Sequence, residues 1–373
     1  MKTLTIAITI FCISGWGAAQ PEPARCFSAL SGHRTQASRA VHLPREFDKS
    51  FAGTVGNNLR VRMQLSRHKG ILYGDYFYEG TGFSINLGGD LSPDGHFTLT
   101  AQDEGQETAS FNGVVSVGSQ EGKGGVVLTG MWAEVNTGAG HHPPLPFRLA
   151  EEIFDLGPGM GLLATRINRT SKNPKYRVEV VYPRISRASG GAAAFNRQIE
   201  SLIQKRVIEF EKDARVAVPL HPDDELGYLE ITYQVILAST QLISISFFVN
   251  EDWGGAHPNS YSVSVTYDLK PARQLALKDL FTAGSPYLEM ISKDCVTKLE
   301  HKLGHYLGGS IEIGASPTAE NYKNWNVTTS GLQITFDPYQ VAAYGFGSQI
   351  VFVQYSYLKA LINPAGPLAA FFK

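Results

Sequence analysis

The sequence predicts an α+β protein. An N-terminal antiparallel β-rich domain, a small barrel or coiled sheet, is expected over residues 47–150, and an α+β domain with an antiparallel sheet over 165–373. Three observations carry this. Short runs that alternate apolar and polar residues, broken by Gly-rich turns, fill 47–150. Helix-period stripes occur only in the second half. The strand runs there come in clusters, with helices between the clusters, which is the order of an α+β chain and not of a doubly wound one.

In chain order, MKTLTIAITIFCISGWGAA (1–19) reads as a secretory signal peptide. Lys2 precedes an apolar run from Leu4 to Ile13, and small residues ending Gly17-Ala18-Ala19 follow. The run is shorter than the roughly 20 residues of a bilayer span, so a periplasmic or secreted protein without a membrane span after cleavage is expected. Residues 20–46 are rich in Pro, Ser and Arg without periodicity and read as a linker or draped tail. Cys26 lies in this tail and Cys295 in a helical stretch. An oxidising compartment permits a disulfide between them; the alternative is two unpaired thiols, one of them buried in a helix.

In NLRVRMQLS, Leu59, Val61, Met63 and Leu65 alternate with polar neighbours, the period of a half-buried strand. GILYGDYFYEG, GFSINLGG, HFTLTAQD, ASFNGVVS, GVVLTGMWAEV and PFRLAEE continue the pattern, for about eight antiparallel strands. Gly74, Gly113 and Gly130 each follow an apolar residue by two positions. Glycine inside a strand marks a bulge or sharp bend, which suits a strongly coiled sheet or barrel. GPGMGLL (157–163) lacks the Lys-Ser/Thr and the following helix of a phosphate loop, and reads as an interdomain linker.

Beyond it YRVEVVYPRI is a strand. Phe195, Ile199, Ile203, Val207 and Phe210 step by three or four and form one helical stripe. YLEITYQVILAST, QLISISFFVNE and NSYSVSVTYDLK follow with short breaks and should pair as an antiparallel meander. SPYLEMISKDCVTKLEHKLGHYL is a second helix, with Ser285 as expected N-cap before Pro286. GLQITFDPY and QIVFVQYSYL close the domain as strands, before a short helical turn near SYLKALI.

Lys plus Arg number 33 against 34 acids, so no bulk field draws nucleic acid or an anionic membrane. The chemistry-bearing stretch is NEDWGGAHPNS (250–260). Histidine titrates near neutral pH, so His257 held by Asp252 or Glu251 would make a general base. The plainer reading is a hairpin connection, and a third is a binding loop in which Trp253 stacks on a sugar or a partner side chain. His301 and His305 lie four apart, near Glu300, without the order of a zinc protease; His141-His142 sit before two prolines. Asp223-Asp224-Glu225 lie together in a turn, where a glycosidase needs acids across a cleft. ENYKNWN places Tyr322 and Trp325 in a polar segment, as at interfaces, although partial burial explains them too. No motif supplies a complete catalytic set, metal site or cofactor site, so none of these is expected. The candidate binding residues are Trp253, His257, Tyr322 and Trp325.

The second half also resembles a known family. YRVEVVYPRI with the helix after it, the strands ending in Gly255-Ala256-His257, YDLKPARQLALKDLF with Asp279-Leu280-Phe281, and GLQITFDPYQVAAYGFG with Phe336-Asp337-Pro338-Tyr339, Tyr344 and Gly347 look like the RsiV-type extracytoplasmic domain pair. The resemblance covers about 170–368. It implies an α+β ectodomain of a kind found in lysozyme-sensing anti-sigma factors and beside peptidoglycan deacetylases. The resulting expectation is an exported, non-catalytic cell-envelope binding protein whose partner is a lysozyme-like protein or a cell-wall glycan. Two alternatives stay open: a glycan-modifying or hydrolytic enzyme using His257 with a neighbouring carboxylate, and a structural or oligomerisation module.

Overall fold

The computed structural model describes residues 46–68, 70–78, 84–103, 106–120, 123–135, 143–216, 227–253, 257–304 and 308–372. Cys26, the signal segment, His141, His142, Asp223, Asp224, Glu225 and His305 lie outside the described residues.

The first eight strands close into an antiparallel barrel: β1 (Phe47–Val55), β2 (Leu59–His68), β3 (Ile71–Tyr78), β4 (Ser84–Leu91), β5 (His96–Asp103), β6 (Gln106–Gln120), β7 (Lys123–Glu134) and β8 (Leu145–Glu151). Closure is the pairing of β1 with β8, from Phe51 opposite Glu151 to Val55 opposite Phe147. An eight-stranded barrel has an interior just wide enough for side chains. Here Phe51, Leu72, Tyr76, Leu99, Phe111 and Leu149 fill it, each at most 2% exposed. The rings of Tyr76 and Phe147 stand edge-on to Phe111 at 5.0 and 5.3 Å. The strand glycines have a steric reason. Gly113 faces Gly130 across β6 and β7, and a Cβ on Gly130 would lie 2.0 Å from the Asn112 carbonyl oxygen. Any larger residue would push apart two strands that the barrel's curvature brings together.

A six-stranded sheet follows, in the order β14-β13-β12-β11-β10-β9. Its elements are β9 (Leu162–Lys172), β10 (Lys175–Ile185), helix α1 (Gly190–Ala214), β11 (Gly227–Ala238), β12 (Leu242–Asp252), β13 (Asn259–Asp268) and the two-residue β14 (Arg273–Gln274). β9 is a strand that the sequence reading did not resolve; it starts at the end of the expected linker and pairs antiparallel with β10. β11, β12 and β13 form the expected meander. β10 and β11 run parallel, because α1 carries the chain across the sheet between them. The α1 stripe Phe195, Ile199, Ile203, Val207 and Phe210 is fully buried against Val178, Leu229, Ile245, Phe247 and Tyr267.

The remaining elements are α2 (Tyr287–Leu303), α3 (Gly308–Gly314), β15 (Trp325–Val327), β16 (Gly331–Phe336), β17 (Gln349–Gln354) and the one-turn α4 (Tyr355–Leu358). β15, β16 and β17 make a three-stranded antiparallel sheet, with α2 on the third hydrophobic core. Ser285 does not cap α2. Pro286 takes the N-cap position, no side chain caps the helix, and the Ser285 hydroxyl has no hydrogen-bond partner. Among the described residues Cys295 has no disulfide partner; its thiol is 0% exposed, and burial pushes its pKa up.

The face of the six-stranded sheet opposite α1 is polar. Ser244, Ser246, Ser262, Ser264 and Thr266 share it, two residues apart along β12 and β13. The three-stranded sheet covers one part. There Asn326, 0% exposed, donates to Ser244 Oγ at 2.9 Å and accepts from Ser264 Oγ at 2.9 Å, while Ser244 bonds Thr266 at 2.8 Å. Buried polar side chains survive only when so satisfied. The barrel approaches the rest. Ser50 Oγ donates to the Val235 carbonyl at 3.4 Å, and Arg62 reaches Glu152 at 2.6 Å and Thr329 at 2.8 Å. Phe77 and Phe352 meet at 5.7 Å. Between barrel and sheets lies a cleft of about 1400 Å³. Among the described residues, no helix is long and apolar enough to cross a membrane.

Candidate functional site

The hairpin between β12 and β13 carries His257, and the chain after β16 turns back to meet it. β16 ends at Phe336, and Asp337-Pro338-Tyr339-Gln340 reverses direction, with the Gln340 N–H donating to the Asp337 carbonyl at 3.0 Å. Proline second and a positive φ third is the order of a type II turn, which favours Gly at the third position. Tyr339 stands there instead, at φ 70°. That conformation costs a bulky residue about 1–3 kcal/mol and persists only where the surroundings impose it.

Those surroundings are polar and specific. The Asp337 carboxylate accepts the Ser262 N–H at 2.8 Å and the Asn324 side-chain N–H at 3.0 Å. The outer edge of β13, beyond the reach of two-residue β14, is thus bound by Asp337 and Asn324, which flank β16 and β15. Gln340 donates to the carbonyls of Gly314 at 3.0 Å and Asn321 at 2.9 Å. Burial raises the Asp337 pKa above the ordinary carboxylate value, partly opposed by the hydrogen bonds from Ser262 and Asn324.

The turn delivers Tyr339 to His257. The Tyr339 hydroxyl lies 3.0 Å from His257 Nε2, and His257 Nδ1 lies 2.8 Å from the Pro258 carbonyl oxygen. A carbonyl only accepts, so Nδ1 carries a proton; in the neutral ring Nε2 then accepts from the tyrosine hydroxyl. The Tyr344 ring stacks on the imidazole at 3.8 Å and 19°, and its hydroxyl donates to the same Pro258 carbonyl at 2.8 Å. Three rings from two separate segments therefore form one pre-ordered group. Tyr339 is 64% exposed, and His257 is exposed beside it.

The other expected site residues go elsewhere. Trp253 is half-buried and stacks on Phe210 at 4.4 Å, closing the end of α1 over the sheet. Tyr322 is 1% exposed, and its hydroxyl donates to the Ala315 carbonyl at 2.6 Å. Trp325 is 6% exposed in the same core. The polar residues around these two are themselves buried, as Asn324 and Asn326 are, so a polar neighbourhood in sequence did not mean a surface. Of the four, only His257 presents an exposed ring. Its expected carboxylate partners differ too. Glu251 pairs with Arg206 and accepts from Asn259 at 2.9 Å, and Asp252 stands opposite Tyr228 at the end of β12. His301 is exposed on α2. Among the described residues no group of three metal-ligating side chains forms.

Sequence reasoning passed over Tyr339 and Tyr344 as site residues. The available signal was Asp-Pro-Tyr-Gln, a turn-forming order with an aromatic where glycine fits best.

Residues 278–356 match the model of DUF3298, a protein family of unknown function. The chain carries a DUF3298 domain at its C-terminus. This DUF3298 span takes in α2, the three-stranded sheet and the Asp337–Gln340 turn, and leaves His257 outside. The chain is 24% identical over 166 residues to the peptidoglycan-N-acetylmuramic acid deacetylase PdaC of Bacillus subtilis (strain 168), a match covering 44% of this chain and 35% of that protein. It thus spans about a third of that relative's length. Among solved structures, a DUF3298-family protein of Bacteroides fragilis is 16% identical with a TM-score of 0.44, covering 59% of this chain and 99% of that one. One from Pseudomonas aeruginosa PAO1 is 14% identical with a TM-score of 0.42, covering 55% and 94%.

Proposed function

We propose that this protein is a non-catalytic binding protein of the cell wall, working outside the cytoplasm. Its contact patch is the His257–Tyr339–Tyr344 group, and its partner is a lysozyme-like protein or the wall glycan. The observation that carries the reading is the strained, exposed Tyr339, held on His257 by a turn anchored in buried polar residues. Rigid tyrosine rings give large contact area at low ordering cost, and tyrosine is enriched among residues that dominate binding energy. A DUF3298 domain and a relative named for a peptidoglycan deacetylase support a place at the cell wall. The signal-like leader and the likeness to the RsiV-type domain pair support export and a protein partner of the lysozyme kind. The hydrolytic reading loses support from the geometry, since the Pro258 carbonyl takes the place at His257 Nδ1 where a carboxylate was expected, and Glu251 pairs with Arg206.

The test is retention of the purified protein on immobilised lysozyme and on insoluble peptidoglycan, comparing wild type with Tyr339→Gly and His257→Ala. Retention on one matrix, lost in both variants, is expected. Tyr339→Gly should meanwhile gain about 1 kcal/mol of stability, because glycine accepts the left-handed turn position without strain. No retention of the wild type on either matrix would leave the proposal without a partner, and turnover of wall fragments abolished by His257→Ala would replace it with an enzyme.

A further inference from the structure

We propose that the cleft between the barrel and the two sheets is a second binding site, for an uncharged linear oligosaccharide. It is separate from the His257 group and stands whether or not that group binds a partner.

Size comes first. The cleft, about 1400 Å³ and open to solvent, exceeds the roughly 300–1,000 Å³ of small-molecule pockets, so it suits a chain of several linked units. Its walls belong to three different structures. The barrel contributes β3 and β4, the six-stranded sheet contributes its polar face, and the three-stranded sheet contributes β16 and the turn before β17. The contacts of Ser50 with Val235 and Phe77 with Phe352 hold these walls together.

Charge decides against ionic ligands. The lining has four basic and four acidic residues, so its formal charges balance; Arg166 lies 3.2 Å from Glu46 and Arg177 3.4 Å from Glu179, while Arg169 pairs with Glu211 outside the lining at 2.9 Å. No field of one sign is left to hold a nucleic acid or an acidic polymer. What remains is amide and hydroxyl chemistry, including Gln64, Asn86, Gln234 and Ser246.

The third requirement is an apolar face for sugar rings to rest on. Tyr73 on the barrel, Phe248 in the middle of β12 and Phe346 at the rim are 44%, 41% and 40% exposed, and all three line the cleft. Exposed aromatic rings set among neutral donors and acceptors match the alternating faces of a pyranose, apolar C–H on one side and hydroxyl at the edge.

The test titrates the full chain by calorimetry and NMR with three hexasaccharide probes: an N-acetylglucosamine oligomer, a plain glucose oligomer and an anionic uronic-acid oligomer. Binding of one or both neutral oligomers and none of the anionic one is expected. Phe248→Ala and Phe346→Ala should each weaken it roughly tenfold. Ser246→Trp, which fills the floor and removes no packing, should abolish binding in a chain that melts as the wild type does. Val117→Ser, at an exposed barrel position outside the cleft lining, should leave it unchanged. Failure of both neutral oligomers to bind, stronger binding of the anionic one, or affinity that survives Ser246→Trp would each overturn the proposal.

Discussion

The barrel and the six-stranded sheet start from the same alternating pattern and end with opposite second faces. In the barrel the inward residues are large and apolar, and closure leaves no inner surface to water. In the sheet one face meets α1 with aliphatic and aromatic side chains, while the other carries Ser244, Ser246, Ser262, Ser264 and Thr266. Part of that polar face is sealed by the three-stranded sheet through a satisfied network, and part is left as the floor of a cleft. The lesson is that alternation tells which residues share a face. It does not tell whether a polar face meets water, another polar face or a ligand.

The comparison breaks most visibly in the barrel. Phe111 is 0% exposed and packs between Tyr76 and Phe147, so Phe111→Ala should cost about 3–5 kcal/mol, read as a lower urea midpoint with loss of barrel signals. A loss under about 1 kcal/mol would mean that the barrel collapses around the gap. The polar seam is next. Asn326→Ala removes a fully buried side chain and its hydrogen bonds to Ser244 and Ser264, and should cost about 1–3 kcal/mol. Faster amide exchange confined to the three-stranded sheet would locate the damage, and uniform exchange across the chain would argue against a local seam.

The smallest effect sharpens the account of how the turn is anchored. Burial raises the Asp337 pKa in the folded protein above its unfolded value. Its contribution is therefore fully present below the unfolded carboxylate pKa. It is lost as pH rises through the raised folded value, because the unfolded state ionises first. Compared with Asp337→Asn, which cannot titrate, the wild type should lose stability as pH rises through the acid range. Urea unfolding at a series of pH values reads this directly, and a wild-type advantage that grows with pH would show that the hydrogen bonds from Ser262 and Asn324 outweigh burial.

Much of the fold was legible. The α1 stripe needed only the period of a helix, and the strand glycines pointed to tight curvature because no side chain fits where Gly113 faces Gly130. The parallel pairing of β10 with β11 was less visible, since it depends on which way α1 crosses. The Ser285 cap failed for a local reason: Pro286 itself occupies the cap position, so the serine hydroxyl sits one residue too early. At the candidate site, His257 was singled out from its type and its turn-like setting. Tyr322 and Trp325 were misplaced because their asparagine neighbours looked solvated and are instead part of the buried seam.

By itself the sequence determined the periods, and with them the β-rich first half, the helical stripes and the meander, since each depends on neighbours a few positions away. Only the tertiary structure decided which aromatic residues face outward and which polar residues are sealed in. His257 and Tyr339 are 82 positions apart, and Ser244 and Asn326 are also 82 apart. Exposure and hydrogen bonding at those positions are set by surfaces that meet only after the chain has folded.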